Sequence, residues 1–473
     1  MSAEAQANVG GVRGMLSRDA AAIYGMIGRL WLILTGPLTI VVLAVYLTPY
    51  VQGYFFTFIS LAAARSVAEL GLGQAIIVKM AKWCPPTTNP ADASPPQAAG
   101  LIRFAAKWFA GAGFVVGALL CLGGTVLLGA GDSLPTAEWL PAWIALSWLV
   151  GMDVALSGLL FPLEGAGHVR SVYFCRMVRS IVNSVVLWLF ILLGLQLWSI
   201  SIALACSLVW TIYFLFARGK LVIAALRPGA AVAKINWRSE VFPTQWRLAL
   251  SSVAEYVSFN TVIPLMYVMH GAVIAGQLGV TWQLAYAVHS TAGAIVATRF
   301  PEFSRLAGAR SVRELDGLFL STSLISMALC SLGFLGFGVG VLLLEKSGLQ
   351  VATRLLPFDQ VVVLLIGMLF WHSNLTVVSY LRAHGGDPYL PASLIGAALL
   401  FAANLTLGQC FGPLGLLSGY AITGACFMMP FGLYLLQRKR QVCGYPPFEI
   451  RGSWTVLASG QGRKMRSQRG AQT

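Results

Sequence analysis

The sequence predicts an all-α polytopic membrane protein with about twelve transmembrane helices, arranged as two six-helix lobes. Composition is the first reason: of 473 residues, 57% are hydrophobic and only 10% are charged, whereas soluble domains carry roughly 25% charged residues. The second reason is that apolar runs of about 20 residues, the length that crosses a hydrocarbon core, recur along the whole chain. The third is that basic and charge-poor segments alternate between those runs.

The apolar runs define twelve predicted spans. The first begins near Ala21 and is too long for the apolar core of a signal peptide, so we expect a transmembrane helix there. The spans cover residues 21–47, 53–78, 105–130, 139–163, 173–195, 198–216, 245–269, 273–298, 317–343, 359–381, 389–410 and 413–436. An even number of spans places both ends of the chain on the same side of the membrane.

The 32 Lys and Arg residues are unevenly distributed between the connections. Connections after even-numbered spans, and the C-terminal tail, are rich in them, whereas only Lys346 and Arg354 follow odd-numbered spans. Because positively charged segments remain in the cytoplasm, both termini are expected to be cytoplasmic. The formal net charge of +15 is then juxtamembrane charge, and nucleic-acid binding is not predicted.

The chain also repeats itself. A shift of 223 residues places Gly53 on Gly276 and Leu61 on Leu284, and each half then holds six spans. Such repeats are typical of transporters whose site lies between the two halves near mid-membrane. The predicted segments are a cytoplasmic N-terminal segment 1–20, an N-lobe 21–216, a cytoplasmic linker 217–244, a C-lobe 245–437 and a basic cytoplasmic tail 438–473.

Each predicted lobe has a proline inside its first helix, Pro37 in LTGPLT and Pro264 in TVIPLM. A proline inside a helix removes a backbone hydrogen bond and kinks the helix. The two prolines are therefore interpreted either as hinges of a switch between inward-open and outward-open states or as static kinks.

Arg65 and Glu69 lie inside the second predicted span, in LAAARSVAELGLGQAIIVKM. A charge near mid-bilayer costs roughly 2.5 to 3.5 kcal/mol on insertion scales, so such a residue usually faces a water-filled cavity or a partner. Because the two residues are four apart on one helical face, we expect them to neutralise each other. The spacing leaves open whether they form a structural ion pair or bind substrate.

Four further polar residues fall within predicted spans. Arg29, near the start of the first helix, is expected to snorkel to the cytoplasmic interface, with a role in the cavity as the alternative. Asp153 and Glu255 are expected to be buried acids without a partner nearby in sequence, in either an ion-coupling or a structural role. His289 is interpreted as a packed histidine or, alternatively, as part of ion coupling.

The sequence predicts no cofactor and no metal site. Its eight cysteines are scattered without a C-x-x-C pair, and no Ser/His/Asp, metal-ligand or Gly-rich phosphate pattern is present. Enzymes of membrane polysaccharide assembly need space outside the membrane for their chemistry, and the longest predicted outside loop spans only residues 345–358. A membrane glycosyltransferase or polymerase is therefore less favoured than a transporter, and the protein is not expected to be an enzyme.

Three blocks of the sequence are distinctive. They are LTPYVQGYFFTFISLAAARSVAELGLGQAIIVKMA from Leu47 to Ala81, GQLGVTWQLAYAVHSTAGAIVATRFPEFSRLAGARSVRELDGLF from Gly276 to Phe319, and YLRAHGGDPYLPASL from Tyr380 to Leu394. Together they resemble the polysaccharide (O-antigen type) flippases of the multidrug/oligosaccharidyl-lipid/polysaccharide exporter superfamily. The similarity extends over nearly all twelve predicted helices, and it implies that the two six-helix lobes surround a central cavity.

The resemblance implies particular site residues. Arg65, Glu69 and Gln74 resemble the R-x-x-x-E-G-x-x-x-Q pattern of the lipid II flippases in the same superfamily, with the glycine displaced to position 71. Arg29 resembles the first-helix arginine of that group, so Arg65, Glu69 and Arg29 are implied to bind substrate. The second-lobe arginines of that group have no clear counterpart here, where His289 stands in the eighth helix. Lipid II itself is therefore not expected as the cargo.

The activity that the resemblance implies is alternating-access transport of an undecaprenyl-pyrophosphate-linked oligosaccharide across the bacterial inner membrane, for lipopolysaccharide or exopolysaccharide synthesis. A guanidinium in a low-dielectric cavity can hold a pyrophosphate with two parallel hydrogen bonds. The implied partners are the lipid-linked substrate, the bilayer and polysaccharide polymerase or chain-length machinery. An ion-coupled multidrug exporter of the same fold is the alternative, because its cavity would favour acids such as Asp153 and Glu255.

Overall fold

A computed structural model of the chain describes residues 3–69, 71–84, 96–131, 134–227, 233, 242–385 and 387–446. Within these ranges, the side chains of residues 3–19, 22, 29, 33 and 242–244 are outside the description. The described residues are almost entirely helical and include no strand. The predicted all-α class is thereby confirmed.

Fifteen α-helices follow one another along the described chain. They are α1 (Ala3–Tyr46), α2 (Pro49–Ala62), α3 (Arg65–Ala68), α4 (Leu72–Trp83), α5 (Pro96–Gly129), α6 (Thr136–Gly165), α7 (Val169–Leu192), α8 (Trp198–Arg218), α9 (Lys220–Leu226), α10 (Phe242–Asn260), α11 (Val262–Gly308), α12 (Val312–Ser347), α13 (Phe358–Ala383), α14 (Leu390–Ile422) and α15 (Met429–Val442). A 3-10 turn at Gln350–Arg354 precedes α13, and a π-helical segment at Thr423–Met428 joins α14 to α15.

The described helices are long and apolar enough for nine membrane spans, or ten if α2 to α4 count as one bent span. Two of the nine runs, Gln245–Gly308 with 64 residues and Leu390–Val442 with 53, are too long for one crossing. At 1.5 Å per residue they measure roughly 96 and 80 Å, against a hydrocarbon core of about 30 Å. Non-helical glycines interrupt them, Gly271 at φ 83° and Gly412 at φ 63°. Each run therefore holds two crossings, and the prediction of about twelve helices is confirmed.

The seventh predicted span, 245–269, is not one continuous helix. α10 ends at Asn260 and α11 begins at Val262. Pro264 therefore lies in the first turn of α11, where a proline displaces no intrahelical hydrogen bond, whereas Pro37 lies in the interior of α1. The expectation that both prolines kink their helices from inside is wrong for Pro264. The hinge role of the two prolines stays a prediction.

The contacts divide the chain into two compact units, Met1–Val280 and Thr281–Thr473. In the first unit α5 packs against α6, α1 against α7, and α7 against α8, while in the second α13 packs against α12 and α14. The predicted linker 217–244 falls in the first unit, and its described part includes α9, which buries Val222 and Ala225. The predicted lobe boundaries stay a prediction.

Helix α6 lies close to α5 because glycines face each other at the contact. A Cβ added to Gly113 of α5 would collide with the carbonyl oxygen of Gly151 in α6, and a Cβ on Gly151 with that of Gly113. Small residues permit such a close approach between membrane helices. About two turns before this contact, the Trp143 indole Nε1 donates to the Leu120 carbonyl oxygen at 3.1 Å. The contact fixes the part of α6 that carries Asp153.

Gly53 and Gly276, which the sequence repeat pairs with each other, lie in contact. A Cβ added to Gly276 would be 2.9 Å from the Gly53 backbone nitrogen. The predicted repeat itself stays a prediction.

The surface of the described helices is strongly apolar. Side chains such as Leu34, Val126 and Phe216 are 72%, 77% and 73% exposed. Exposed apolar faces of this extent are expected where helices contact lipid. The chain is therefore a multi-pass membrane protein.

Candidate functional site

The second membrane span is broken where Arg65 lies. The four-residue helix α3 begins at Arg65, and the span, which runs from Pro49 to Trp83, bends by 40° between α3 and α4. Gly71 precedes α4 with a left-handed backbone at φ 64°, and a Cβ there would collide with the Leu248 side chain, so the turn requires glycine. Irregular backbone at membrane depth is tolerated only where protein or a water-filled cavity surrounds it. The break therefore marks a site inside the protein.

Arg65 pairs with Asp153 of α6. Its Nη1 donates to Asp153 Oδ2 at 2.5 Å. The expected i,i+4 pair with Glu69 is not the ion pair that Arg65 makes: the Glu69 backbone N–H donates to the Arg65 carbonyl oxygen at 3.3 Å, as in a helical turn, but the Arg65 side chain extends to Asp153 instead. Asp153 does have a partner, although that partner is 88 residues away in sequence.

Asp153 lies between two arginines. Arg179 of α7 places its Nη2 at 2.5 Å from Asp153 Oδ1, on the other side of the carboxylate from Arg65. The contact is an ion pair and does not have the geometry of a hydrogen bond. The Asp153 side chain is 4% exposed and that of Arg179 is 19% exposed, whereas Arg65 is 52% exposed. One buried carboxylate thus anchors one enclosed and one accessible guanidinium.

A second ion pair joins the same two helices. Arg176 Nη2 lies 2.7 Å from Glu164 Oε2. Residues 153 and 164 are eleven apart and therefore share a face of α6, while 176 and 179 share a face of α7. The facing surfaces of α6 and α7 consequently carry two acids and two arginines in register.

Glu69 is a further acid close to these ion pairs. It is half-buried and lies within electrostatic range of Arg65, Asp153, Arg176 and Arg179. These four residues, Glu69 and Glu164 form what we call the Arg65 cluster. Three arginines and three acids give it a formal net charge of zero, which lowers the cost of placing so many charges in the membrane.

Arg65 and Asp153 lie roughly midway along their membrane spans. Asp153 is twelve residues before Gly165, the end of α6, which corresponds to roughly 18 Å of helix at 1.5 Å per residue. Arg65 is roughly midway between Pro49 and Trp83. Charges at this depth mark a functional site by default.

The other predicted site residues are not all in this cluster. Glu255 of α10 is exposed, so the expectation of a buried acid is wrong for it. Arg29 lies in α1, and its side chain is outside the described residues. His289 belongs to the second compact unit, where its Nδ1 lies 3.1 Å from Nδ1 of His372. The predicted packed histidine therefore has a specific partner, and with Cys330 these two are the group of described residues close enough to share a metal ion.

Three members of the Arg65 cluster were missed by the sequence analysis. Arg176 and Arg179, at the start of the fifth predicted span, were counted with the basic connection before it as topology signals, but both lie inside α7 and face α6. Glu164, near the end of α6, was not considered. The available signal was the i,i+3 spacing of the two arginines, which places both on one helical face.

The second unit contains a buried arginine that provides a contrast. Arg440, which the sequence analysis placed in the basic tail, donates to both Asp316 carboxylate oxygens from its two terminal nitrogens, Nη1 and Nη2. It also donates to Tyr380 Oη at 3.2 Å and to the Pro446 carbonyl oxygen at 2.6 Å. Its side chain is 5% exposed. A guanidinium so completely bonded serves structure, whereas Arg65 has Asp153 as its one hydrogen-bonding partner among the described residues.

No protein-family model matches the sequence, and no curated protein is detectably similar to it. Solved structures are similar in fold. An inward-facing MATE family multidrug resistance transporter of the MOP superfamily matches with a TM-score of 0.61 and 14% identity, over 89% of this chain and 98% of that chain. The MATE multidrug transporter DinF-BH, solved as a complex with a ligand, matches with a TM-score of 0.60 and 16% identity, over 90% of this chain and 96% of that one.

The lipid II flippase MurJ, in an inward closed conformation, matches with a TM-score of 0.58 and 13% identity, over 93% of this chain and 90% of that chain. All three similarities extend over nearly the whole of both chains. At these identities they establish the fold. The chain has the fold of MOP-superfamily transporters, as the resemblance in sequence implied.

Proposed function

We propose that the protein is an alternating-access flippase that moves an undecaprenyl-pyrophosphate-linked oligosaccharide across the bacterial inner membrane for polysaccharide synthesis. The observation that carries this proposal is the Arg65 guanidinium, which lies at a helix break roughly midway along its membrane span, held by one hydrogen bond and 52% exposed. A positive group in this position suits an anionic headgroup whose prenyl tail remains in lipid.

The chemistry of the guanidinium supports this assignment. It carries five N–H donors in a planar fork that matches phosphate oxygens. Arg65 uses one donor on Asp153, so the remaining donors are available to a pyrophosphate. Arg176, 40% exposed, offers a second guanidinium within electrostatic range of Glu69, as Arg65 does. In this proposal Glu69 positions the arginines and Asp153 anchors Arg65, while Arg29 contributes from α1.

The fold supports a transporter over an enzyme. The solved structures described above are transporters and one lipid II flippase. In our proposal the driving force is an ion gradient or the membrane potential, both termini are cytoplasmic, and polysaccharide polymerase or chain-length machinery is a partner.

An ion-coupled multidrug exporter is the second candidate. Two of the similar structures are multidrug transporters, and one of these is a ligand complex. Glu255, exposed on α10, is an acid that a cationic drug would favour. This candidate predicts that transport depends on Glu255 and does not depend on the guanidinium of Arg65.

Transport in proteoliposomes tests the proposal. The full chain is reconstituted with labelled undecaprenyl-pyrophosphate-linked oligosaccharide, and movement between leaflets is measured by access of an external glycosidase to the sugar. We expect movement with the wild-type chain, none with Arg65→Ala, and the wild-type rate with the control Arg103→Lys. The Arg103 guanidinium donates to backbone oxygens at the end of α9, those of Ala225 and Arg227. Movement of the cationic dye ethidium without movement of the oligosaccharide would instead establish the exporter.

A further inference from the structure

We propose that His289, Cys330 and His372 form a binding site for a thiophilic metal ion, and that this ion is Cu⁺. The three residues come from α11, α12 and α13 and are about forty residues apart in sequence, which is why no motif indicates the site. The proposal goes beyond the proposed function, since it concerns the second compact unit and a different ligand.

The spacing of the ligand atoms suits a metal. The His289 and His372 Nδ1 atoms are 3.1 Å apart, and these two atoms and the Cys330 sulfur all lie within 4.8 Å of one another. Two imidazole nitrogens bound to one metal at about 2.0–2.1 Å in trigonal, three-coordinate geometry are roughly 3.5 Å apart. The two nitrogens therefore have to separate by roughly 0.4 Å, and the sulfur has to approach by roughly 1 Å at most, given a metal–sulfur bond near 2.3 Å.

Hydrogen bonds already orient His372 as a ligand. The Ser326 hydroxyl donates to the Ala292 carbonyl oxygen at 2.9 Å, so it accepts the hydrogen bond at 2.8 Å from His372 Nε2. With its proton on Nε2, His372 directs the lone pair of Nδ1 towards His289. Metal-binding histidines usually have their second nitrogen fixed in this way. Ser326 also lies one helical turn before Cys330, on the same face of α12.

His289 is held from its other side. Its ring stacks on Tyr286 with centroids 5.7 Å apart and an interplanar angle of 27°. Without metal, His289 Nδ1 carries the proton that His372 Nδ1 accepts. On metal binding that proton is lost from Nδ1 and Nε2 carries the ring proton instead, while the Cys330 thiol releases its proton to solvent as the sulfur–metal bond forms.

Charge favours Cu⁺ over Zn²⁺. Two neutral imidazoles and one thiolate contribute a single negative charge, which Cu⁺ cancels and Zn²⁺ exceeds by one. An uncompensated charge is costly at this depth in a membrane helix, and no Asp or Glu of the described chain belongs to the group. Thiolate and imidazole ligands in a three-coordinate set are also suited to Cu⁺.

A competition assay tests the site. The full chain in detergent micelles is freed of metal, kept anaerobic and reduced, and titrated with Cu⁺ against a chromophoric Cu⁺ chelator. We expect one Cu⁺ per chain to be retained, with an affinity at least tenfold lower in His289→Ala and His372→Ala and no retention in Cys330→Ala. Cys175→Ala, which removes another buried thiol outside the group, serves as the matched control and should bind as the wild type does.

Retention of Cu⁺ by Cys330→Ala with wild-type affinity would overturn the proposal. X-ray absorption of the Cu⁺-loaded wild type without one sulfur and two nitrogen neighbours would overturn it as well. The absorption measurement needs no variant, so it decides the matter even if a substitution prevents folding. Stoichiometric Zn²⁺ binding without Cu⁺ binding would overturn the choice of ion. Neither experiment contains a lipid-linked substrate, so these outcomes are independent of whether the chain is a flippase.

Discussion

Replacing an arginine by lysine at two positions separates a binding guanidinium from a structural one. Lysine keeps the positive charge but loses the planar fork. Arg440, buried and bonded to Asp316, Tyr380 and Pro446, loses at least two hydrogen bonds at about 1 kcal/mol each in Arg440→Lys. The expected destabilisation is about 2 kcal/mol, or roughly thirtyfold in the folding equilibrium.

Arg65→Lys should behave in the opposite way. Arg65 has one hydrogen bond and is half exposed, so solvent screens its pair with Asp153 and a lysine retains that pair. We expect stability to fall by less than about 1 kcal/mol. A bidentate contact with pyrophosphate loses one of two charge-assisted bonds, worth about 1.5–3 kcal/mol, so substrate affinity should fall roughly ten- to a hundredfold.

Two measurements on the same preparations check this pair of variants. Unfolding midpoints in micelles report stability, and the concentration dependence of oligosaccharide movement in proteoliposomes reports affinity. The reasoning is refuted if Arg65→Lys transports with wild-type affinity, or if it loses as much stability as Arg440→Lys. In either case Arg65 would be one more structural arginine.

Three further predictions follow from named contacts. Asp153→Asn should lower the free energy of unfolding by about 3 kcal/mol because it leaves the largely enclosed Arg179 without its counter-charge. Adding Arg179→Gln should restore most of the unfolding midpoint, and a double variant that stays destabilised would contradict the ion-pair account. Burial lowers the pKa of His384, and Lys439 and Arg440 act in the same direction. The contribution of the neutral His384 to stability should therefore be fully present above about pH 6.5 and be lost as the pH falls through the folded pKa. His384→Gln should flatten this pH dependence of the unfolding midpoint. If Pro37 and Pro264 are hinges, Pro37→Ala and Pro264→Ala should slow transport at normal protein levels, and unchanged rates in both variants would show them to be static.

The fold could be predicted from the sequence because the membrane makes hydrophobicity and length decisive. The predicted charge-poor connections at 270–272 and 411–413 coincide with the two helix breaks in the structure, at Gly271 and Gly412. The break between α10 and α11 was not predicted, since Thr261 interrupts an apolar run without changing its hydropathy. Breaks of this kind depend on tertiary contacts, which periodicity does not record.

The candidate site could be predicted only in part. Arg65 and Asp153 were both singled out, because an isolated charge in an apolar run is visible in sequence. Their pairing was not, since it joins residues 88 apart and depends on where α6 packs. His289 and His372 are likewise 83 residues apart. Sequence identifies which side chains are unusual, whereas packing decides which of them meet.

The single hydrogen bond between Arg65 and Asp153 also affects how readily a transporter of this kind would release its substrate. In the proposed function, Arg65 keeps its charged bond to Asp153 while its remaining donors hold a phosphate. The carboxylate offsets part of the positive charge of the guanidinium throughout, so the headgroup is held less tightly than by an unpaired guanidinium and dissociates sooner. A pair built in this way favours turnover over tight retention.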